Sequence, residues 1–513
     1  MKRLRTKMFS LPGDGGGDSL LRGLSKRFIV EQFDHEVSQR CYYDTFDWRL
    51  HRASQVFFSA GATLHLERFN GQQVAVASGR RKSKFFWWDI EAGTLNERLK
   101  SCIDMRALCP IVEVTNEASQ FRIMNKDRKT VVRLVIRNDQ LQEMGSDVVE
   151  QVVVCEIRGY EREYDAIVEL CLKKGCTGLK KKKLFERLLK DSGRTPRDYG
   201  AKFRVDLDED TSIGAAVAKI CLHLLGDMQQ NQPGVSADID SEFLHDFRIA
   251  VRRTRSLLSL MKKILPREQC RYFQGEFRWL GSVTGPLRDI DVYLLEKEDY
   301  LSLLPPVLRD GLNTFFDQLE SRRAGELKTL QTRLDSERFG ALLGDWQGFL
   351  SDPDSELFKG SRGQSCRVYA DTMIIKRFRS FIRDGNRISA SSADEELHRL
   401  RISGKKFRYL LEFFKSFYDE EQMSLFLKYM KKLQDNLGVF NDLSVQQNML
   451  GGELGGLRAK NLQTIRFAAA LGGLIALLSD KHQVVRGEFE STYQEFSRPE
   501  VQELLEAMVK GQT

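Results

Sequence analysis

Two stretches of this sequence carry rows of cations at helical spacing. The first is Leu244-His-Asp-Phe-Arg-Ile-Ala-Val-Arg-Arg-Thr-Arg-Ser-Leu-Leu258 and the second is Leu397-His-Arg-Leu-Arg-Ile-Ser-Gly-Lys-Lys-Phe-Arg-Tyr-Leu-Leu411. At about 100° per residue, His245, Arg248, Arg252 and Arg255 share an arc of roughly 80°, and Leu244, Phe247, Val251 and Leu258 occupy the adjoining arc that can enter a core. His398, Arg401, Lys405 and Arg408 repeat the pattern, while Arg253 and Lys406 sit further round their helices. The helical rise sets successive cations about 5 Å apart along the axis. Arg278 and its mate Lys431, Arg288, and the i, i+3, i+7 series Lys376, Arg379 and Arg383 add further positive charge. Arginine offers paired donors to phosphate oxygens and lysine a point charge, so such rails suit a linear polyanion. Asp246, Glu242 and Glu412 lie near the rails, but acids do not follow them at i±3 or i±4 often enough to neutralise them. Like charges on one helix face repel, which favours an anionic ligand. His245 and His398, two of only seven histidines, head the two rails. A phosphate donor or an orienter of the next arginine is the role that fits both.

The elements that must hold these residues can be read from periodicity. The interval from His245 to His398 is 153 residues, and Gly285-x-x-Arg288-Asp-Ile-x-Val292 recurs at the same interval as Gly438-x-x-Asn441-Asp-Leu-x-Val445. One offset across two motifs marks an internal duplication, with copies around 211–350 and 365–510. The period is helical from about 210 onward, with breaks at Gln232-Pro-Gly, Leu304-Pro-Pro, Ser351-Asp-Pro-Asp and 389–393, which is the punctuation of a bundle of helices. The first 170 residues favour strands instead, as in Gln73–Ser78, Thr130–Ile136 and Val152–Ile157. A helix is expected over 161–173. Lys180–Lys183 then opens a short helical stretch, Leu184–Leu189, as a solvated helix start before a linker at 191–201. The expected organisation is therefore two domains, 1–200 and 205–513.

The signature L-H-D-x-R-[IV]-A-x-R-R-x-R, followed by L-G…L-R-D-[IL]-D-V, resembles the CHAD domain (conserved histidine α-helical domain) over roughly residues 205–480. The resemblance implies two antiparallel four-helix bundles related by a pseudo-twofold, with basic residues of both lining a common groove. It also implies inorganic polyphosphate as the ligand and polyphosphate granules as the location. Asn441 departs from the pattern where the first copy has Arg288, and Gly404 stands where it has Val251, which is expected to weaken packing more than binding.

The N-terminal part resembles, more weakly, the CYTH or triphosphate-tunnel fold, which implies an antiparallel β-barrel holding triphosphate and a divalent metal on glutamates. The resemblance rests on Tyr42-Tyr-Asp-Thr-Phe-Asp-Trp-Arg-Leu-His-Arg52 and Gly61-Ala-Thr-Leu-His-Leu66. That family's opening E-x-E-x-K is best matched by Arg3-x-Arg5-x-Lys7. Its L-R-[IL]-R arginines fall on His65 and Glu67, and its closing acids on Val152, Val154 and Glu156. Magnesium needs carboxylate oxygens in a near-octahedral array, so metal-dependent hydrolysis is not expected here. Gly13–Gly17 reads as a flexible loop with no phosphate-loop lysine attached.

Composition bounds the remaining choices. The net charge of +8 is too small to announce a polyanion binder unless it is clustered, and 41% hydrophobic with 30% charged residues describes a globular chain. Nine scattered cysteines without a C-x-x-C pair argue for reduced thiols and against zinc or a disulfide framework. The run Phe467–Leu478 is too short to span a bilayer and reads as a buried helix. The expectation is a cytoplasmic, granule-associated polyphosphate-binding protein with no catalytic residues, no cofactor, no metal and no membrane association. The alternatives are a triphosphatase or polyphosphatase acting through the N-terminal barrel, and a nonspecific nucleic-acid binder. The rails lack the interleaved aromatics that stacking on bases requires, which makes nucleic acid the poorer fit.

Overall fold

The computed structural model describes residues 4–13, 15–141, 149–200, 203–352, 357, 363–458 and 461–511. It divides into two compact units, Met1–Ala201 and Lys202–Thr513.

The first unit is built on strands β1 (Thr6–Ser10), β2 (Ile29–Asp44), β3 (Gln55–Ala60), β4 (Thr63–Arg68), β5 (Gln73–Ser78), β6 (Cys109–Met124), β7 (Thr130–Leu141), β8 (Val149–Glu156) and β9 (Thr177–Gly178). They form one antiparallel sheet in the order β5-β4-β3-β2-β6-β7-β8-β1-β9. A closed barrel is therefore not what forms: among the described residues β5 does not pair with β9, and the sheet ends on both. The helices are α1 (Gly16–Ser25), α2 (Arg49–Arg52), α3 (Thr94–Ile103), α4 (Glu161–Lys173) and α5 (Lys181–Asp191). The Gly-rich stretch is not wholly a loop, because α1 begins at Gly16, and the Gly17 N–H donates to Glu150 Oε2 at 3.2 Å. Asp14 lies outside the described residues.

The Tyr42–Arg52 block is a structural knot. The buried Asp44 carboxylate accepts the N–H groups of Thr45, Leu50 and His51 at 2.7, 3.0 and 2.9 Å, which satisfies the orphan donors of the short helix α2. Asp47 accepts from the Thr45 hydroxyl and from Arg49.

The second unit is helical: α6 (Ile213–Ser236), α7 (Ser241–Leu260), α8 (Arg267–Val283), α9 (Gly285–Leu295), α10 (Lys297–Leu303), α11 (Pro306–Leu334) and α12 (Glu337–Ser351) belong to the first copy. The second copy holds α13 (Cys366–Gly385), α14 (Asp394–Phe414), α15 (Glu420–Gly456), α16 (Leu462–Phe496) and α17 (Pro499–Lys510). Side-chain N-caps set many of the starts: Ser212, Asp240, Ser336, Ser365, Asp419 and Asn461 each accept a backbone N–H of the following turn. Leu304-Pro-Pro and 389–393 separate helices, but Gln232-Pro-Gly does not: Pro233 lies inside α6. Gly234 is small because Phe243 lies on it, a Cβ there meeting the ring at 2.1 Å, and the chain turns only at Asp238, with φ +47°.

The two copies differ at the second repeated motif. In the first, the chain breaks between α8 and α9 around Thr284-Gly-Pro286, whereas the equivalent Gly438 lies inside the continuous α15. Pro286 has no N–H to give a continuing helix, and Val439 does. Gly404 does not interrupt α14, and its carbonyl accepts the Gln434 side-chain amide at 2.8 Å. Trp346 packs on Phe273 and Phe277 in the first copy, and Phe378, Phe407, Phe426 and Phe496 cluster in the second. The apolar run on α16 is not wholly buried. Phe467, Ala470, Leu471, Leu474 and Leu478 form the buried stripe, and Leu477 is 39% exposed. By length and composition alone this helix could cross a bilayer.

Candidate functional site

The Asp240 cap fixes where α7 starts, and burial fixes how it is rotated. Leu244, Phe247, Val251 and Leu258 are at most 2% exposed, so the cations of the neighbouring arc are turned the other way. They line a groove of about 900 Å³ together with side chains of α8, α9, α14 and α15. His245, Arg248, Arg252 and Arg255 come from α7, Arg278 from α8 and Arg288 from α9. Arg401, Lys405 and Lys406 come from α14. Lys262, just past α7, completes nine lysine and arginine side chains, against two carboxylates, Asp289 and its repeat mate Asp442. Sequence reasoning passed over Lys262, although it continues the rail at i+7 from Arg255. It also passed over Tyr293 and Tyr409, which line the groove as well.

Only Arg288 and Arg401 have a described carboxylate within ion-pair distance: Glu242 at 3.6 Å and Asp442 at 3.4 Å. Arg248 is held instead by neutral acceptors, its Nη1 donating to the Gly281 carbonyl (3.2 Å) and to Thr284 Oγ1 (3.0 Å). Gly281 also leaves room for Arg255, since a Cβ there would lie 2.8 Å from its Nη1. The Nε of Arg401 is buried without an acceptor among the described residues. Unit charges about 5 Å apart repel by roughly 0.8 kcal/mol in water and about 3 kcal/mol at an effective dielectric of 20. A crowd of unpaired cations is therefore costly until an anion enters.

The acid–base behaviour of the groove follows from burial first and from this crowding second. Burial, then neighbouring guanidiniums, pushes Arg248 and Arg255 below the usual arginine range. Burial does the same for Arg401 and Lys406. Lys405 responds most visibly: burial first, and then Arg401 and Arg252, lower its amine to about 8. A bound polyanion requires the charged amine, so affinity is expected to hold below about pH 7 and to fall as pH rises through 8 to 9. The loss should approach tenfold, one charged contact being worth about 1.5 kcal/mol or more. Lys405→Arg should flatten the profile in a binding titration across pH. An unchanged wild-type profile from pH 7 to 9 would remove Lys405 from the site.

Several predicted residues are not brought into this groove. Arg253 and Arg408 both turn onto Glu412, at 2.9 and 2.7 Å, and Arg253 also lies over the Phe203 and Tyr409 rings. His398 is exposed and its Nδ1 sits 2.6 Å from Asn441 Oδ1. The residue that replaces Arg288 in the second copy thus holds the histidine instead. Lys431 is exposed and outside the groove. Lys376, Arg379 and Arg383 line a separate depression beside Lys510. Arg379 there stands 3.9 Å from Glu506 and Arg383 3.3 Å from Asp384.

The first unit holds a cavity of its own, about 800 Å³, lined by Arg40, His65, Glu67, Arg137 and several aromatic rings. His65 stacks on Phe58, and Glu67 is paired with Lys181 at 2.8 Å, so this lysine is engaged rather than merely solvated. Thr6 pairs with Cys155 across β1 and β8, which sets Arg5 beside Glu156. Arg5 holds both oxygens of that carboxylate, its side-chain Nε donating to Oε1 at 2.8 Å and its backbone N–H to Oε2 at 2.7 Å. Arg3 lies outside the described residues.

Residues 219–451 match the CHAD domain family. Among solved structures, the chain is similar to the CHAD domain from the plant Ricinus communis, at 24% identity and a TM-score of 0.48, covering 58% of this chain and 97% of that one. It is also similar to PptA from Streptomyces chartreusis, at 15% identity and a TM-score of 0.44, covering 55% of this chain and 100% of that one. No curated protein sequence matches the chain. Residues 219–451, with both cation rails inside them, are a CHAD domain.

Proposed function

We propose that this protein binds inorganic polyphosphate, without turning it over, in the groove shared by the two helical copies. The observation that carries this reading is that seven of the groove's nine lysine and arginine side chains lack a described carboxylate at ion-pair distance. A repeating phosphate polymer supplies oxygens along the whole length of such a wall and needs no closed pocket. The cytoplasm and polyphosphate granules are the proposed location. Titration of the full chain with long-chain polyphosphate, triphosphate and single-stranded DNA at one near-physiological salt concentration tests the reading. Tight, length-dependent polyphosphate binding with DNA far weaker is expected. Equal binding of all three would reduce the groove to a nonspecific cationic surface.

Nucleic acid is the second reading, favoured by Tyr293 and Tyr409 in the groove. Tyr293 is only 5% exposed, however, and Tyr409 already contacts Phe413 and the Arg253 guanidinium. Neither ring is presented as a platform for bases.

The first unit is proposed to be a triphosphate-tunnel relative that no longer hydrolyses. Glu156, the carboxylate that survives of the family's closing acids, is neutralised by the arginine that replaced one of the opening acids. No magnesium-dependent release of phosphate from triphosphate is expected of the full chain. Release that EDTA abolishes would overturn this part of the proposal.

A further inference from the structure

The groove contains an amine placed for more than charge. Lys405 is partly buried on α14, lacks a described carboxylate partner, and lines the groove together with Arg401, Arg252 and Lys406. Such an arrangement can hold a phosphoryl dianion beside a primary amine. An anhydride between a carboxylic acid and phosphate would then carry its acyl carbon one bridging oxygen away from the anchored phosphorus.

We infer that Lys405 is a self-acylation site for small acyl phosphates recruited by the guanidiniums of Arg252 and Arg401. The inference rests on the groove being a phosphate-binding site. The neutral Nζ attacks the acyl carbon, forming the amide C–N bond. The bond from that carbon to the bridging oxygen breaks, and its electron pair leaves with phosphate. The proton lost from nitrogen passes to the departing phosphate, giving an amide and hydrogen phosphate with no other reagent needed. Arg401 and Arg252 serve twice: they draw the dianion in, and they add to burial in disfavouring the ammonium form of the nearby amine. An ordinary lysine near pKa 10.4 is less than about 1% neutral at pH 8, so Lys405 gains up to roughly 100-fold in reactive amine. The consequence is regulatory. Each acylation removes a positive charge from the groove and fills part of it, so acyl phosphate and polyphosphate oppose one another at one residue.

The test incubates the full chain with acetyl phosphate at pH 8 and follows acetylation of each lysine by peptide mass spectrometry. A parallel titration of the unmodified protein with long-chain polyphosphate is run beside it. Lys405 is expected to react at least about tenfold faster than Lys431, which is exposed and outside the groove, and polyphosphate should suppress the difference. Loss of the modified peptide in Lys405→Arg assigns it to this residue. Equal rates at Lys405 and Lys431 in protein that binds polyphosphate would overturn the inference and leave the groove's function standing. Equal selectivity for Lys405 with the neutral reagent p-nitrophenyl acetate would overturn recruitment through phosphate. Absence of polyphosphate binding in the parallel titration would overturn the groove reading, and the inference with it.

Discussion

Replacing Arg248, Arg252, Arg401 and Lys405 together by alanine is expected to weaken long-chain polyphosphate binding by about 10³-fold at fixed salt, taking about 1 kcal/mol for each partly screened contact. The four come in repeat-related pairs and line one groove from both copies. The variant should also flatten the salt dependence of binding, because fewer counterions are released on contact. Arg248 has a second attachment, to the Gly281 carbonyl and Thr284, so the thermal midpoint of the variant must be measured beside its affinity. The matched control is Lys376, Arg379 and Arg383 to alanine, which removes three cations from a different depression. It should cost less than about tenfold. An equal loss in both variants would mean that net charge, and not the groove, does the binding.

The largest stability effect is expected at Trp346→Ala. The indole is fully buried, with its ring centre 4.4 Å from that of Phe273 and 5.4 Å from that of Phe277. Removing it leaves a cavity that the two rigid rings cannot refill, at a cost of about 3–5 kcal/mol. Denaturant unfolding followed by far-ultraviolet circular dichroism, to which the helical unit contributes most, reads this as a large fall in midpoint. Trp346→Phe should cost under about 1.5 kcal/mol, because the smaller change in volume is offset by removing a buried N–H. That N–H has no acceptor among the described residues. Similar losses for both substitutions would show that the N–H matters and the packing does not.

The rails were legible in the sequence because a helix converts spacing into direction: once Leu244, Phe247, Val251 and Leu258 go inward, Arg248, Arg252 and Arg255 have one place left to go. Partners reached across helices were not legible. Arg253 and Arg408 converge on Glu412, and only the Arg408 contact has an i, i+4 spacing that a sequence can show. The helical run at 366–385 carries as clean a cation series as α7, yet tertiary packing directs it to another surface. Pro233-Gly234 read as a break because local propensity says so, while the contact with Phe243 supplies the reason for the glycine. Strand segments in the first unit were visible from their β-branched composition. Whether their sheet closes depends on pairing between strands far apart in the chain, which composition does not encode.

The place of β1 in that sheet has a consequence for how the protein is made. Thr6–Ser10 lies between β8 and β9, with Thr6 opposite Cys155 and Ser10 opposite Thr177. A ribosome adding 5–20 residues per second takes roughly 8–30 s to go from the one strand to its partners. Through that interval β1 has neither neighbour, and the loop that finally closes spans most of the unit, a slow step by its contact order. The Arg5–Glu156 pair can form only then. That ion pair would also be among the last contacts made as the first unit folds during synthesis.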